Sequence, residues 1–265
     1  MIATLTDFGN SEYLGAMKGV IRSISFDADI IDLYNDVAPQ SVRQAAWVLL
    51  SNYACFPKGA LFLCIVDPGV GTDRKALAVQ TKSYTFIAPD NGLIYPAAQK
   101  DGITSVISIT IPKDASRTFH GRDIFAKAAA KLDSGHGIAS LGKPAKTIQP
   151  LHFHKKGREG EVVRIDHFGN IITNLSCLPG EKRYAATLGK EKMNLPFYAT
   201  YAEAKSDELF LIEGSARTLE ISVKSGSAKQ KLHPKIGEHI RIIGMQRGNI
   251  PGAEGGVLRG VFLKK

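Results

Sequence analysis

Apolar positions in the first 135 residues alternate between two periods. Ile2 to Thr6, Ile30 to Tyr34 and Leu61 to Val66 are short apolar runs of strand length. Between them, Glu12 to Ser25 places Leu14, Met17, Val20, Ile21 and Ile24 at helical spacing. Val42 to Phe56 carries Ala45, Ala46, Val48, Leu49 and Tyr53, which predicts a helix with a broad apolar stripe. Leu77 to Gln80 and Thr85 to Ala88 read as an adjacent pair of strands, and Asp123 to Leu132 as a helix. Strands alternating with helices predict an α/β unit, a mainly parallel sheet with helices on its faces, over residues 1–150. After a polar connector near 143–160 the helical period fades. Val162 to Ile165, Phe210 to Ile212, Leu219 to Val223, His239 to Ile243 and Val257 to Phe262 are short strands separated by turn residues. They predict a smaller all-β unit, barrel-like or sandwich-like, over residues 160–265.

Composition narrows the class. Of 265 residues, 44% are hydrophobic and 22% charged, the balance of a folded chain. The longest apolar run, the seven residues from Ala60 to Val66, is far short of the ~18 that a membrane span needs. No basic leader precedes Asp7, and Cys55, Cys64 and Cys177 form no disulfide framework, so a reduced, cytoplasmic protein of bacterial type is expected. Net charge is +9, with 15 Lys/Arg against 13 Asp/Glu in residues 1–150 and 19 against 12 in the remainder. The densest basic cluster, Lys155-Lys156-Gly157-Arg158, lies in the connector and has no interleaved aromatics, so neither nucleic acid nor membrane is an expected partner.

Ligands of open α/β sheets bind beyond the carboxyl ends of the strands. Three strands here end in Thr6-Asp7-Phe8-Gly9, Asp67-Pro68-Gly69-Val70-Gly71 and Pro89-Asp90-Asn91-Gly92. Asp, Asn and Gly are also ordinary turn formers, but three converging carboxylates repel and call for a cation, an arginine or a ligand. Arg74, seven residues beyond Asp67, either folds back onto it or stands on the surface; spacing alone allows both. His120 in Phe119-His120-Gly121-Arg122-Asp123 sits at a helix start, where a neutral imidazole is favoured; it reads as a proton acceptor or as a structural histidine. His152 and His154 lack partners at metal spacing, so no zinc site is expected. Gly69-Val70-Gly71 has Arg74 where a third glycine belongs, and there is no GxxxxGK[ST] loop, which disfavours NAD and ATP. Asp166-His167-Phe168-Gly169-Asn170, with Thr173-Asn174 following, offers a stacking face beside hydrogen-bonding groups, suited to a flat heterocycle; the plain alternative is a hairpin turn with a half-buried Phe.

These segments together resemble the SAM hydroxide adenosyltransferase family, the adenosine-forming S-adenosyl-L-methionine hydrolases related to fluorinase and chlorinase. The resemblance rests on Thr6-Asp7-Phe8-Gly9 with Tyr13, Gly15 and Met17-Lys18-Gly19, and on Val66-Asp67-Pro68-Gly69-Val70-Gly71 with Arg74. It continues through Ala88-Pro89-Asp90-Asn91-Gly92, Phe119-His120-Gly121-Arg122-Asp123, Phe168-Gly169-Asn170 with Thr173-Asn174, and Leu219-Glu220-Ile221. It implies a Rossmann-like first domain, a β second domain and a homotrimer with active sites between subunits. It assigns the reacting centre to Asp67, Arg74 and His120, and the ribose hydroxyls to Asp7. Asp166, Phe168 and Asn170 would hold the methionine part or the adenine from the neighbouring subunit, with Ser215 and Glu220 at further ligand positions. The halogenase branch lacks the Asp-Arg-His set, so water rather than halide is the implied nucleophile. The chain departs from the family pattern at Gly214-Ser215-Ala216-Arg217, for Asn-Ser-x-Gly, at Lys224-Ser225-Gly226-Ser227-Ala228, for Asn-x-Gly-Ser-Ala, and at Lys127, for Pro.

The expected reaction is attack of water or hydroxide on ribose C5′ of S-adenosylmethionine, giving adenosine and L-methionine without a cofactor. Arg74 does not deprotonate, so the proton goes to His120 or Asp67, and the sequence leaves that choice open. A net charge of +9 does not attract a cationic substrate, which leaves that task to local carboxylates. Two rivals remain: a metal-dependent phosphoester hydrolase with Asp7, Asp67, Asp90 and His120 as ligands, and a non-catalytic adenosine-binding module.

Overall fold

A computed structural model of the chain describes residues 1–245. Two seven-stranded sheets follow one another along the chain. The first is built from β1 (Ile2–Thr6), β2 (Ile30–Tyr34), β3 (Leu61–Ile65), β4 (Ala76–Thr81), β5 (Thr85–Pro89), β6 (Ile103–Ile109) and β7 (Gly142–Pro144), in the order β2-β1-β3-β5-β4-β6-β7. β1 pairs in parallel with β2 and β3, and β3 with β5. β4 turns back antiparallel on β5, and β6 and β7 continue antiparallel, so the largely parallel sheet expected is a mixed one, parallel over β2-β1-β3-β5 and antiparallel beyond. A short connection suffices between β4 and β5, whereas each parallel pairing needs a crossover.

Successive residues of the central strands face opposite layers, as the two-residue period of a strand requires. On β3, Phe62 and Cys64 pack with Leu49 and Tyr53, on the side of α2 (Val42–Asn52) and α3 (Tyr95–Asp101). Leu61, Leu63 and Ile65 pack with Met17, Ile21 and Ala129, on the side of α1 (Glu12–Ile24) and α4 (Lys127–Asp133). Burial of both faces explains why these strands read as continuous apolar runs. The helix expected from Asp123 begins earlier, as a π-helical segment over Gly121–Ala126 that runs into α4. Such wide turns recur at functional sites. Gly121 is needed there: an added Cβ would sit 3.1 Å from Met17 Sδ and 3.2 Å from the Phe119 ring.

The second sheet comprises β8 (Glu159–Ile165), β9 (Ile171–Thr173), β10 (Arg183–Leu188), β11 (Glu191–Pro196), β12 (Leu209–Glu213), β13 (Leu219–Val223) and β14 (His239–Gly244). Every pairing is antiparallel, in the order β11-β10-β14-β8-β9-β13-β12. Phe197, just past β11, bridges to Leu211 of β12, which brings the two edges together into a nearly closed barrel. The unit is not purely β: it also carries α5 (Ala228–Leu232) and a 3-10 turn at Tyr201–Glu203. The expected strand Val257–Phe262 lies outside the described residues.

The two sheets meet at an ion pair. Arg43 of α2 donates through Nε and Nη2 to both oxygens of Glu161 on β8, each at 2.6 Å, and the His154 N–H reaches Glu161 Oε2 at 2.8 Å. Glu161 is only 1% exposed, so these donors are what make an ionised carboxylate tolerable there. No helix among the described residues is long and apolar enough to cross a membrane.

Candidate active site

The parallel arrangement of β1, β3 and β5 puts the residues that follow them on one sheet edge, which is where Asp7, Asp67 and Asp90 lie. Each of these carboxylates has its own donor. Asp7 Oδ2 accepts the Gln40 N–H at 2.8 Å, and Asp90 Oδ1 accepts the Gln149 N–H at 2.7 Å. Asp90 thereby pins the connector, and neighbouring Asn91 ties back to the Val66 carbonyl at 2.8 Å; these are structural duties.

The fold-back of Arg74 onto Asp67, one of two options left by spacing, is what the chain adopts. The Gly69–Gly71 turn makes it possible. Gly71 has φ +79, and a Cβ there would stand 2.5 Å from the Arg117 carbonyl oxygen. Arg74 Nε donates to Asp67 Oδ1 at 2.8 Å and its Nη2 to Asp67 Oδ2, a two-pronged contact with both side chains less than a tenth exposed. The same Nη2 lies 2.8 Å from His120 Nδ1. A guanidinium only donates, so Nδ1 is the acceptor and the imidazole proton sits on Nε2. His120 is buried, and its pKa is lowered, first by burial and then by the Arg74 guanidinium, against a weaker opposing pull from Asp67 and Asp123. The neutral imidazole expected from the helix start is therefore present, secured mainly by burial and a neighbouring cation. The Arg74 guanidinium also lies over the Phe125 ring at 5.2 Å.

This arrangement bears on the metal rival. Arg74 already supplies the positive charge between Asp67 and His120, and no three His, Cys, Asp or Glu side chains among the described residues group where one ion could sit.

The other expected ligand residues line one cleft of about 860 Å³ in the second sheet: Asp166, Phe168, Asn170, Ser215 and Glu220. Asp166 Oδ1 accepts the Asn170 backbone N–H and its Oδ2 the Asn170 side-chain amide, both at 2.8 Å. A carboxylate only accepts, which orients the amide with Nδ2 toward Asp166 and Oδ1 away. Phe168 is 74% exposed on the cleft rim, not half-buried as a hairpin residue would be. Glu220 is buried, and its carboxyl pKa is pushed up to about 7, chiefly by burial and then by Asp166, with Arg164 opposing. An added Cβ at position 214 would fall 1.6 Å from Glu220 Oε1, so this carboxyl occupies the room that the family's asparagine side chain would need. Lys224, where that pattern has Asn, donates to the Ala202 and Ala204 carbonyls at 3.0 and 2.9 Å, and so holds the loop that carries Tyr201.

Tyr201 and Arg164 also line the cleft. The Tyr201 hydroxyl lies 3.3 Å from Asn170 Nδ2, and Arg164 stacks over the Tyr34 ring at 4.8 Å. Neither was anticipated: Tyr201 lies in a loop with no periodic signal, and Arg164 reads as an ordinary polar position on an alternating strand. No residue of the first sheet lines this cleft, so within one chain the Asp67–Arg74–His120 cluster and the cleft are separate features.

Comparison with known proteins bears on the family. Residues 2–142 match the SAM hydroxide adenosyltransferase N-terminal domain, and residues 160–241 match its C-terminal domain. The chain belongs to the SAM hydroxide adenosyltransferase family. A Thermus thermophilus protein named (R)-S-adenosyl-L-methionine hydrolase is 34% identical, over 90% of this chain and 98% of its own length. A fluorinase from Nocardia brasiliensis is more distant, 25% identical over 77% of this chain and 83% of its own. A crystal structure of an uncharacterized conserved protein from Thermotoga maritima superposes with a TM-score of 0.85 at 36% identity, covering 91% of this chain and all of that one.

Proposed function

We propose that this member of the family is an S-adenosyl-L-methionine hydrolase, cleaving its substrate with water at ribose C5′ to release adenosine and L-methionine. The observation that carries the reading is the Arg74 guanidinium, gripped by Asp67 and donating to His120 Nδ1, in a relative of named (R)-S-adenosyl-L-methionine hydrolases. The water oxygen bonds to C5′ as the C5′–S bond breaks. The electron pair goes to sulfur, which leaves as a neutral thioether, and one proton is released. The leaving group needs no acid and the reaction no cofactor; the chemical difficulty lies with the nucleophile.

The hydrogen-bond pattern bears on where the proton goes. His120 Nε2 already carries a hydrogen and Nδ1 is engaged by Arg74, while both oxygens of Asp67 are engaged by the same guanidinium. In this reading neither acts as a strong resting base. His120 Nε2–H and Arg74 hold the water oxygen as donors and favour its hydroxide form electrostatically, the preorganised stabilisation that is commonly the largest single catalytic effect. Asp7, with one oxygen on Gln40, keeps the other for the ribose hydroxyls. The cleft would hold the rest of the substrate, with Asp166 and Glu220 supplying the negative charge that a chain of net +9 lacks globally.

The same reading makes the assembly a homotrimer in which a neighbouring copy brings its cleft to this reacting centre. The separation of the two features within one chain and the uncovered Phe168 ring support it. The setting is cytoplasmic, in keeping with three unpaired cysteines.

The test is adenosine release from S-adenosylmethionine, followed by chromatography, for the native chain, Arg74→Ala and His120→Ala. Turnover by the native chain and its loss in both variants are expected; equal turnover in all three would remove the mechanism. Excess chloride or fluoride in the same assay should give no 5′-halo product, and its appearance would move the chain to the halogenase reaction.

A further inference from the structure

The charged groups of the second-sheet cleft pair off, except Glu220 and Arg164, which act on each other only through their charges. Asp166 is occupied by Asn170, Glu213 by Arg217 at 3.0 Å and by the Cys177 thiol, and Lys224 by two carbonyls. Arg164 lines the same cleft and has neither a hydrogen bond nor an ion pair among the described residues. Its Nε is enclosed without an acceptor, while Nη1 and Nη2 are not enclosed. The Tyr34 ring covers the guanidinium at 4.8 Å, a stack that limits where its forked edge can point. A half-buried guanidinium without a partner is costly to leave so, and its planar fork matches a carboxylate with two parallel N–H donors.

The geometry points to Arg164 as the receptor for the α-carboxylate of the substrate's amino-acid portion, and thus as a specificity-determining residue of the cleft. This rests on the substrate proposed above. S-adenosylmethionine carries a sulfonium, an ammonium and a single carboxylate, so only the carboxylate complements a guanidinium. The acidic groups of the cleft, Asp166 and Glu220, suit the cationic remainder.

The test compares kcat/KM for S-adenosylmethionine and its decarboxylated analogue, in native protein, Arg164→Gln and Arg164→Lys. Native protein should favour the carboxylated substrate by roughly 10–100-fold, expressed in KM, the value of a hydrogen-bonded charged pair. Arg164→Gln should lose that preference: KM for S-adenosylmethionine rises by about the same factor, kcat holds, and the analogue is little affected. Arg164→Lys keeps the charge but not the fork and should fall between. A merely structural role would penalise both substrates alike, and that result overturns the proposal. So does native protein that hydrolyses both equally well, a comparison that needs no variant to fold. Absence of any adenosine from native protein would instead overturn the substrate assignment, and this inference with it.

Discussion

Replacing Arg74 by lysine separates charge from geometry at the reacting centre. Arginine makes three hydrogen bonds to side chains at once: two to Asp67, at 2.8 Å from Nε and a second from Nη2, and one at 2.8 Å to His120 Nδ1. A lysine ammonium is a single point on a flexible stem, so it can keep one Asp67 oxygen but not also hold the imidazole. The Asp67 contacts exist before and during the reaction, so their partial loss appears mainly as stability, at about 1.5–3 kcal/mol for a bond to a charged group. The donor that faces the nucleophile matters only as negative charge gathers on oxygen. Removing such a donor costs roughly 10²–10³ in rate, about 2.7–4 kcal/mol. Arg74→Lys should therefore lower kcat by about 10²–10³-fold and leave KM within about threefold, because Arg74 does not hold the bulk of the substrate. The assay is steady-state adenosine formation, with a thermal melt to show that the variant is folded. A folded Arg74→Lys enzyme with near-native kcat, or one damaged only in KM, would refute the reasoning.

Three further outcomes follow from the same structure. His120 has its pKa lowered below the ordinary 6.5, so kcat should be level above neutrality and fall on the acid side with a midpoint under that value. The unfolded chain takes up this proton at 6.5 while the folded one resists, so this group's contribution to stability also declines as pH falls through that window; that decline should be absent from the unfolding pH profile of His120→Gln. Glu220, raised from 4.5 to about 7, contributes stability that is lost as pH rises through that interval, so Glu220→Gln should gain about 1–3 kcal/mol in denaturant unfolding at pH 8 while weakening the hold on a cationic ligand. Arg217 occupies a left-handed conformation at φ +59, so Arg217→Gly should stabilise by about 1 kcal/mol, since the lost Glu213 pair is 88% exposed on the arginine side; an unchanged or lowered midpoint would argue against strain there.

The first sheet was legible where burial wrote a period into the chain. β1, α1, α2 and β3 follow apolar patterns because both faces of the central strands and one face of each helix are dry, whereas β2 at the edge keeps an apolar run though half exposed. α3 and β6 left little trace: Tyr95–Asp101 is a seven-residue helix with proline in its first turn, and Ile103–Ile109 sits near the edge of the sheet, half-exposed. The β10–β11 hairpin was missed for a related reason, because Glu191–Asn194 shows mostly polar side chains to solvent. The adjacency of β4 and β5 is legible in the short gap between them, and that gap leaves room only for the antiparallel pairing they adopt.

At the candidate site, sequence supplied the residue types but not their pairing. The spacing of Asp67 and Arg74 permits a contact that only the turn at Gly71 makes, and the family resemblance, not spacing or periodicity, is what groups either with His120, 46 residues beyond Arg74. Three carboxylates at the sheet edge call for a cation, an arginine or a ligand, and in the fold each has its own donor, an arginine only for Asp67. Arg164 could have been noticed only through its lack of a partner, which is a property of the folded chain.

Reaction of the native protein with S-adenosylmethionine in ¹⁸O-labelled water tests the central claim most directly. Attack of water at C5′ predicts one labelled oxygen in the adenosine, at the 5′ position, and unlabelled L-methionine. Adenosine without the label, or no adenosine at all, would contradict it.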